Sequence, residues 1–209
     1  MASPDQSTPY DQRLARRLVR PLARLGITPN QMTAVTLVLA LLAAWLFATG
    51  EAASAHWAAG LFVLARFLDH FDGELARLTG SASRFGYYFD YVAGSISYIA
   101  LFAALGIGFA KGPLGDWALL LGGLAAATAL VTLPINLSID RSLELSDGDA
   151  IGYPGLAGFE LEDGIYLLAP ITWLGWLEPF FVLSCLGASI YGLWCLWSLL
   201  RARRASAAP

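Results

Sequence analysis

The chain has 209 residues, of which 57% are hydrophobic and 14% are charged, with a net charge of −3. A soluble domain has about 25% charged residues, and the mean hydropathy of +0.59 means that this chain has more apolar surface than a soluble fold of its size can bury. The composition excludes an ordinary soluble enzyme, gives no indication of a nucleic-acid partner, and predicts an all-α integral membrane protein in contact with membrane lipids.

The N-terminal part of the chain is predicted to lie outside the bilayer. Residues 1–8 are mostly small and polar, so this stretch is predicted to be disordered. Residues 9–28 place five arginines among apolar residues at helical spacing, which indicates an amphipathic surface helix with its arginines toward anionic headgroups. A solvated basic tail is the alternative. Thr28-Pro29-Asn30 ends this helix and begins the next one.

Six apolar segments follow, and each is predicted to cross the membrane. They cover residues 32–49, 53–68 with a continuation to 77, 89–109, 117–135, 160–176 and 179–200. A crossing takes about 20 residues, so the fifth segment is marginal, and its Pro170 predicts a kink or shielding by neighbours. The six-helix domain is predicted over residues 29–201, followed by a cytoplasmic tail at 202–209.

Positive charge is distributed unequally between the two sides of these segments. With a cytoplasmic N-terminus, the outer loops hold only Lys111, and the inner segments hold the five N-terminal arginines with Arg77, Arg84, Arg141, Arg201, Arg203 and Arg204. This is the positive-inside pattern, so both termini are predicted to be cytoplasmic, in the inner membrane of a bacterium. The Gly and Ala content of the third and fourth segments predicts close helix packing and a homodimer.

Three aspartates interrupt the apolar pattern at the inner ends of the second and third segments. Asp69 and Asp72 are three residues apart and share one face of a helix, and Asp90 lies one turn inside the next helix. Three converging carboxylates repel one another unless a cation neutralises them. Because hard oxygen ligands suit these ions, the cluster predicts a Mg²⁺ or Mn²⁺ site.

The residues beside the aspartates leave room for a ligand. Gly73 and Ala76 remove side-chain bulk from the same region of the helix, and Arg77 can hold a phosphate. The residues alone therefore predict a metal-assisted phosphate site. The alternative is a set of interfacial salt bridges between the aspartates and the neighbouring arginines.

The spacing of these residues resembles the signature of the CDP-alcohol phosphotransferases, D-x2-D-G-x2-A-R-x8-G-x3-D-x3-D. The matching positions are Asp69, Asp72, Gly73, Ala76, Arg77, Gly86 and Asp90. The Thr28-Pro29-Asn30 start of the first membrane helix and the amphipathic helix before it are also similar to that family. The resemblance covers most of the chain and implies the family's six-helix fold with an inward-facing site.

The resemblance implies a reaction in phospholipid synthesis. A CDP-linked donor binds through its diphosphate to two divalent metals, an alcohol acceptor attacks the β-phosphorus, and CMP leaves. By this resemblance Asp69, Asp72 and Asp90 are metal ligands, and the nucleotide is bound by Asp69, Asp72, Gly73, Ala76, Arg77 and Gly86. Arg84 and Arg141 are candidates for holding a substrate phosphate, and contact with lipid headgroups is their alternative role.

One position departs from the family signature. Gly94 occupies the place of the last aspartate, which the family uses for metal binding and for deprotonating the acceptor, and glycine can do neither. A replacement is predicted among Glu160, Glu162 and Asp163, which begin the fifth segment on the same side; with Asp90 they are the candidate catalytic residues. The three acids are also explained as favourable charges at a helix N-terminus.

Two function hypotheses follow from this pattern. The first is a metal-dependent membrane CDP-alcohol phosphotransferase. The second, favoured by Gly94, is a non-catalytic relative that binds nucleotide or lipid or scaffolds a partner enzyme. A small transporter fits less well, because the acids cluster at the inner membrane edge and transporter sites usually lie at the midplane.

Overall fold

The computed structural model describes residues 18–144 and 161–206, and these ranges are helical apart from short turns. The α-helices in chain order are α1 (Pro29–Ala48), α2 (Ala52–Thr79), α3 (Arg84–Phe109), α4 (Asp116–Glu144), α5 (Leu168–Trp173) and α6 (Leu177–Ser206). A short 3-10 helix, Leu161–Leu167, leads directly into α5. No strand occurs in the described ranges, so the predicted all-α fold class is confirmed.

Four of these helices are long and apolar enough to cross a membrane. They are α1, α3, the part of α4 over Asp116–Ile135 and the part of α6 over Leu177–Arg201. Their outward faces are apolar, as shown by Val38 at 63%, Trp117 at 69% and Leu193 at 69% exposure. Water solvates such faces poorly and lipid solvates them well, so the chain is a multi-pass membrane protein.

The predicted fifth crossing, residues 160–176, is not one continuous α-helix. Its described part starts as the 3-10 helix, and the α-helical part is limited to α5. The apolar helical stretch Gly164–Trp173 is too short to span a hydrocarbon core of about 30 Å alone. α2 is 28 residues long but carries the charged cluster, and it is not among the four candidate spans. The count of six crossings stays a prediction.

The described part of the predicted N-terminal amphipathic helix is helical over residues 18–24. Val19 is buried against Met32, Phe71 and Leu75, whereas Arg20 and Arg24 point outward. This pattern agrees with an amphipathic helix, but residues 1–17 lie outside the described ranges, so its predicted start at residue 9 is untested. At the other terminus, α6 continues to Ser206, so the predicted tail at 202–209 begins as helix.

α1 is the central helix of the half of the bundle that holds Asp69, Asp72 and Asp90, because both α2 and α3 pack against it. Thr28 begins α1 with a capping box to Gln31, and Ser83 begins α3 by accepting the Gly86 N–H at 3.0 Å. α2 ends at Gly80, whose φ of 64° is the left-handed cap conformation that favours glycine. The short turn between these caps places the end of α2 and the start of α3 at the same end of the bundle.

The opposite end of the bundle is packed through glycine. A Cβ at Gly106 would lie 2.8 Å from the Ala118 carbonyl oxygen, and one at Gly122 would lie 2.5 Å from that of Phe102. These glycines therefore allow α3 and α4 to pack closely within one chain, as predicted from their composition. This contact accounts for both glycines without a second copy of the chain, and the homodimer stays a prediction.

Three arginines lie at one end of this bundle and Lys111 lies at the other. Trp173 at the end of α5 donates its indole N–H to the His56 carbonyl at 3.1 Å, which places the start of α6 at the end opposite the α2–α3 turn. α6 then runs back, so Arg201 returns to the end that holds Arg77 and Arg84. Lys111 lies at the other end, where its Nζ donates to the carbonyl at the end of α1.

Candidate metal and phosphate site

The three aspartates of the predicted cluster come together in space. Carboxylate oxygens of Asp69, Asp72 and Asp90 all lie within 4.8 Å of one another. Asp69 and Asp72 share a face of α2, and Asp90 lies in the second turn of α3. The carboxylates meet beside α1 because both helices pack on it. The structure thus shows the convergence that the sequence spacing predicts.

Two threonines on α1 contact two of these carboxylates. Thr33 Oγ1 donates a hydrogen bond to Asp72 Oδ2 at 2.5 Å. Thr36 Oγ1 lies 3.4 Å from Asp69 Oδ1, and it also donates to the Thr33 carbonyl at 2.9 Å. Both threonines are buried, so their contacts with the carboxylates are shielded from water. Neither threonine was among the predicted site residues, although two hydroxyls three residues apart in an apolar helix are a signal that the sequence contains.

The charges of the cluster fit a divalent cation. Asp72 is only 7% exposed, and two further carboxylates lie within contact range. Arg66 Nη1 offsets part of this charge at 3.0 Å from Asp69 Oδ2. Three carboxylates and one guanidinium leave a formal charge of −2, which one Mg²⁺ or Mn²⁺ would neutralise. The donor set consists of the hard oxygens that these ions prefer.

Arg77 is paired with an acid outside the aspartate cluster. Its Nη2 donates to Glu74 Oε1 at 2.7 Å, and the arginine side chain is 62% exposed whereas that of Glu74 is 5% exposed. A Cβ at Gly73 would lie 3.5 Å from the same guanidinium nitrogen, an ordinary van der Waals distance, so the Arg77 side chain runs along the helix surface beside Gly73. Of the interfacial salt bridges that were the alternative, one forms between Arg66 and Asp69. Arg77 instead pairs with Glu74, and its side chain is exposed.

Gly86 has a local packing reason for being a glycine. A Cβ there would lie 3.0 Å from Asn30 Oδ1 and 3.2 Å from Ser83 Oγ. The missing side chain thus allows Asn30 of α1 to approach the first turn of α3. The contact joins the starts of α1 and α3 at the end of the bundle that holds the aspartates. Ala76 of α2 is half-buried at the same end. Nucleotide binding by Gly86 and Ala76 stays a prediction.

The remaining predicted site residues are described to different extents. Arg84 is exposed at the start of α3, and Arg141 lies in the last turns of α4 with only its backbone described. Glu160 lies outside the described residues, and Glu162 and Asp163 are described by backbone alone within Leu161–Leu167. Their roles therefore stay predictions.

The 3-10 helix that contains Glu162 and Asp163 lies beside the site. Its Tyr166 has Oη at 3.2 Å from Nε2 of His70, the residue that directly follows Asp69. Asp163 and Glu162 precede Tyr166 by three and four residues in this 3-10 helix, so their backbone is about one turn away from a side chain that contacts α2. This placement agrees with the prediction that these acids are on the same side as the metal site.

Comparison with known proteins agrees with this chemistry. The profile of the CDP-alcohol phosphatidyltransferase family matches residues 26–151 of the chain. Over 170 residues the chain is 29% identical to the archaetidylinositol phosphate synthase of Pyrococcus horikoshii, a match that covers 78% of this chain and 86% of that protein.

Solved structures share the fold. The phosphatidylinositol phosphate synthase of Mycobacterium tuberculosis with CDP-DAG bound has a TM-score of 0.64 at 21% identity, over 90% of this chain and 94% of that one. The same enzyme in complex with manganese and citrate has a TM-score of 0.56 at 20% identity, over 88% of each chain. The family match covers more than half of the chain and includes all seven signature positions. This chain therefore belongs to the CDP-alcohol phosphatidyltransferase family, membrane transferases of phospholipid synthesis that use a CDP-linked donor and an alcohol acceptor.

Proposed function

We propose that this chain transfers a phosphatidyl-type group from a CDP-linked lipid to the hydroxyl of a phosphorylated polyol, with release of CMP. The observation that carries the proposal is the meeting of Asp69, Asp72 and Asp90 within 4.8 Å beside an exposed arginine of the same signature. The relative from P. horikoshii is an archaetidylinositol phosphate synthase and the one from M. tuberculosis is a phosphatidylinositol phosphate synthase, and these names favour an inositol-phosphate acceptor.

Asp69, Asp72 and Asp90 hold Mg²⁺ or Mn²⁺ in this proposal. An ion held there would coordinate the donor diphosphate and stabilise the charge that develops on the departing CMP. Thr33 and Thr36 orient two of the carboxylates through the contacts described above. Since both threonines lie on α1, the position of this helix controls the geometry of the ligands on α2.

Nucleotide and acceptor are assigned to different parts of the site. Arg77 lies at the exposed rim and holds a nucleotide phosphate, and Gly73, Ala76 and Gly86 leave room for the nucleotide. Arg84 and Arg141 hold the phosphate of the acceptor. An acid of the segment before α5, Glu160, Glu162 or Asp163, takes the proton of the acceptor hydroxyl onto its carboxylate oxygen. The support is the contact of Tyr166 with His70.

The membrane topology belongs to the same proposal. Six segments cross the inner membrane, both termini are cytoplasmic and two copies form a homodimer. Arg77, Arg84 and Arg201 lie at the site end of the bundle and Lys111 lies at the other end, which supports a cytoplasmic site under the positive-inside rule.

The test is a CMP-release assay on the purified chain with a CDP-linked diacyl lipid. Inositol phosphate, glycerol phosphate, serine and no acceptor are compared with Mg²⁺, with Mn²⁺ and with a chelator. We expect metal-dependent release that is fastest with inositol phosphate and absent with chelator. Release that is unaffected by chelator would contradict the metal site, and a preference for serine would contradict the acceptor class.

A second candidate function is nucleotide or lipid binding without transfer, and Gly94 is the observation that favours it. Without the last signature aspartate, the chain lacks one ligand and the family's base for the acceptor. Saturable binding of the CDP-linked lipid, with no CMP release for any acceptor or metal, would replace the transferase proposal with this one.

A further inference from the structure

The position of the missing aspartate is next to a guanidinium. Gly94 lies one turn after Asp90 on α3, so a side chain there would extend from the same face. A Cβ at Gly94 would lie 3.9 Å from Arg66 Nη1, the nearest atom outside the backbone of its own helix. A carboxylate one bond further out would therefore be within ion-pair distance of Arg66. Glycine supplies no acid at this position, and among the side chains that the structure describes Arg66 is the nearest charged group.

Arg66 is held from more than one direction. Its Nη1 lies 3.0 Å from Asp69 Oδ2, and its side chain is only 12% exposed. Its Cζ lies 5.2 Å from the centre of the Tyr98 ring, so α3 supplies an aromatic face to the same guanidinium. An arginine fixed between a carboxylate and a ring loses little further freedom on binding a ligand. The guanidinium is therefore a positioned cation rather than a solvated surface charge.

Formal charge determines how many divalent ions the cluster can hold. Among the side chains that the structure describes at this cluster, Asp69, Asp72 and Asp90 contribute −3 and Arg66 contributes +1, so a single divalent ion brings these four groups to zero. A second divalent ion would leave +2 in a largely buried region and would lie beside a guanidinium, which is electrostatically unfavourable. Arg66 also occupies one oxygen of Asp69, which would otherwise be available to a second ion.

We propose that Arg66 is a built-in second cation of this site: the cluster binds one divalent ion, and the guanidinium of Arg66 faces the donor diphosphate as the other positive charge. A guanidinium can bind phosphate oxygens in a bidentate manner and stays charged at every working pH, which suits it to this role. The part about the diphosphate rests on the proposed transferase function. The ion count does not, because it concerns only residues of this chain.

The decisive measurement is the number of Mn²⁺ ions bound per chain, followed by electron paramagnetic resonance of free Mn²⁺ during titration without substrate. We expect one ion for the wild-type chain. Gly94→Asp should still bind one ion, because the new carboxylate pairs with Arg66. Gly94→Asp combined with Arg66→Gln should bind two. Gly94→Ala is the matched control and should bind one, since its Cβ makes only an ordinary contact.

A kinetic measurement separates the guanidinium from a simple positive charge. Arg66→Lys keeps the charge but loses the bidentate geometry, so the ion count should stay at one and the KM for the CDP-linked lipid should rise roughly tenfold. Arg66→Gln should raise that KM further, whereas Gly94→Ala should leave it unchanged. An unchanged KM in both Arg66 variants would overturn the assignment to the diphosphate.

The results distinguish this inference from the proposed function. Two Mn²⁺ ions on the wild-type chain, or one ion on a folded double variant, would overturn the inference even if CMP is released. One ion on the wild-type chain without CMP release for any acceptor would leave the ion count correct and remove the transferase function. The wild-type count needs no variant, so the inference is open to refutation even if the double variant does not fold.

Discussion

The two ends of the helical bundle are held together by different kinds of contact. At the site end, α1 and α2 meet through polar side chains, with Thr33 donating to Asp72. At the opposite end, the backbones themselves approach, and a Cβ at Gly50 would lie 2.8 Å from the carbonyl oxygen of Gly108. One end holds charged side chains, and the other leaves no room for a side chain at Gly50, Gly106 or Gly122.

Because the contacts differ, the stability of the fold and the activity of the site are expected to depend on different ends of the bundle. Crowded carboxylates favour neither folding nor burial without a cation, because like charges repel and their desolvation is costly. Close packing at the glycine end gains dispersion contacts and costs no charge. We therefore expect changes at the site end to reduce activity with little loss of stability, and changes at the glycine end to do the reverse.

Removing one carboxylate should have the largest effect. Asp72→Asn keeps an acceptor for the Thr33 hydroxyl but removes a charged ligand, and we expect CMP release to fall on the order of 10³-fold, about 4 kcal/mol of lost transition-state stabilisation. The metal-free variant should unfold at the same temperature as wild type or higher, since one buried like charge is gone. Asp116→Asn, at the exposed start of α4, is the control and should change neither value. Activity within tenfold of wild type would contradict a metal site at Asp72.

A substitution at the glycine end should produce the opposite pattern. A Cβ at Gly122 would lie 2.5 Å from the Phe102 carbonyl oxygen and 2.9 Å from the Gly106 Cα, whereas a Cβ at Gly123 meets nothing within 4 Å. Gly122→Val should therefore destabilise the fold by about 3 kcal/mol, because backbone must move to relieve the overlap. Gly123→Val, the adjacent control, should have little effect. Thermal unfolding in detergent measures both, and equal unfolding temperatures would contradict the close α3–α4 packing.

The helices themselves were largely predictable, because long apolar runs indicate membrane segments regardless of tertiary contacts. Their ends were less predictable. The third apolar segment starts at residue 89 and its helix was predicted from near Gly86, whereas α3 begins at Arg84 because Ser83 caps it in a polar stretch that hydropathy does not recognise. The fifth segment reads as one apolar run, yet it divides into a 3-10 helix and α5, a change of backbone geometry that composition does not encode.

The site was predictable where its residues are close in sequence. Asp69 and Asp72 are three apart, and helical periodicity is enough to place them on one face. The contacts of Thr33 with Asp72 and Thr36 with Asp69 span 39 and 33 residues, so they depend on how α1 packs against α2. The approach of Arg66 to Gly94 likewise depends on the relative rotation of two helices. Local propensity carries no information on either.

Loss of a supporting hydroxyl should have an intermediate effect at the site end. Thr33→Val is nearly isosteric and removes the donor to Asp72, and we expect Mn²⁺ affinity to fall 10- to 100-fold, a range typical of groups that orient metal ligands. Thr132→Val is the matched control, because that buried hydroxyl donates to the Ala129 carbonyl of its own helix. Equal Mn²⁺ affinity in both variants would show that Thr33 has no role in orienting Asp72.

The smallest expected effect tests whether the two ends are independent. Lys111 Nζ donates to the Ala48 carbonyl at 2.9 Å and to the Thr49 carbonyl at 2.8 Å, so it satisfies the last carbonyls of α1 at the end opposite the site. Lys111→Met should destabilise the fold by about 1 kcal/mol and lower the unfolding temperature by about 2–4 °C. CMP release and Mn²⁺ affinity should stay within twofold of wild type, and Lys111→Arg should restore the unfolding temperature. A loss of Mn²⁺ affinity with unchanged unfolding would mean that the end of α1 transmits its position to Thr33 and Thr36, and the two ends would then act as one unit.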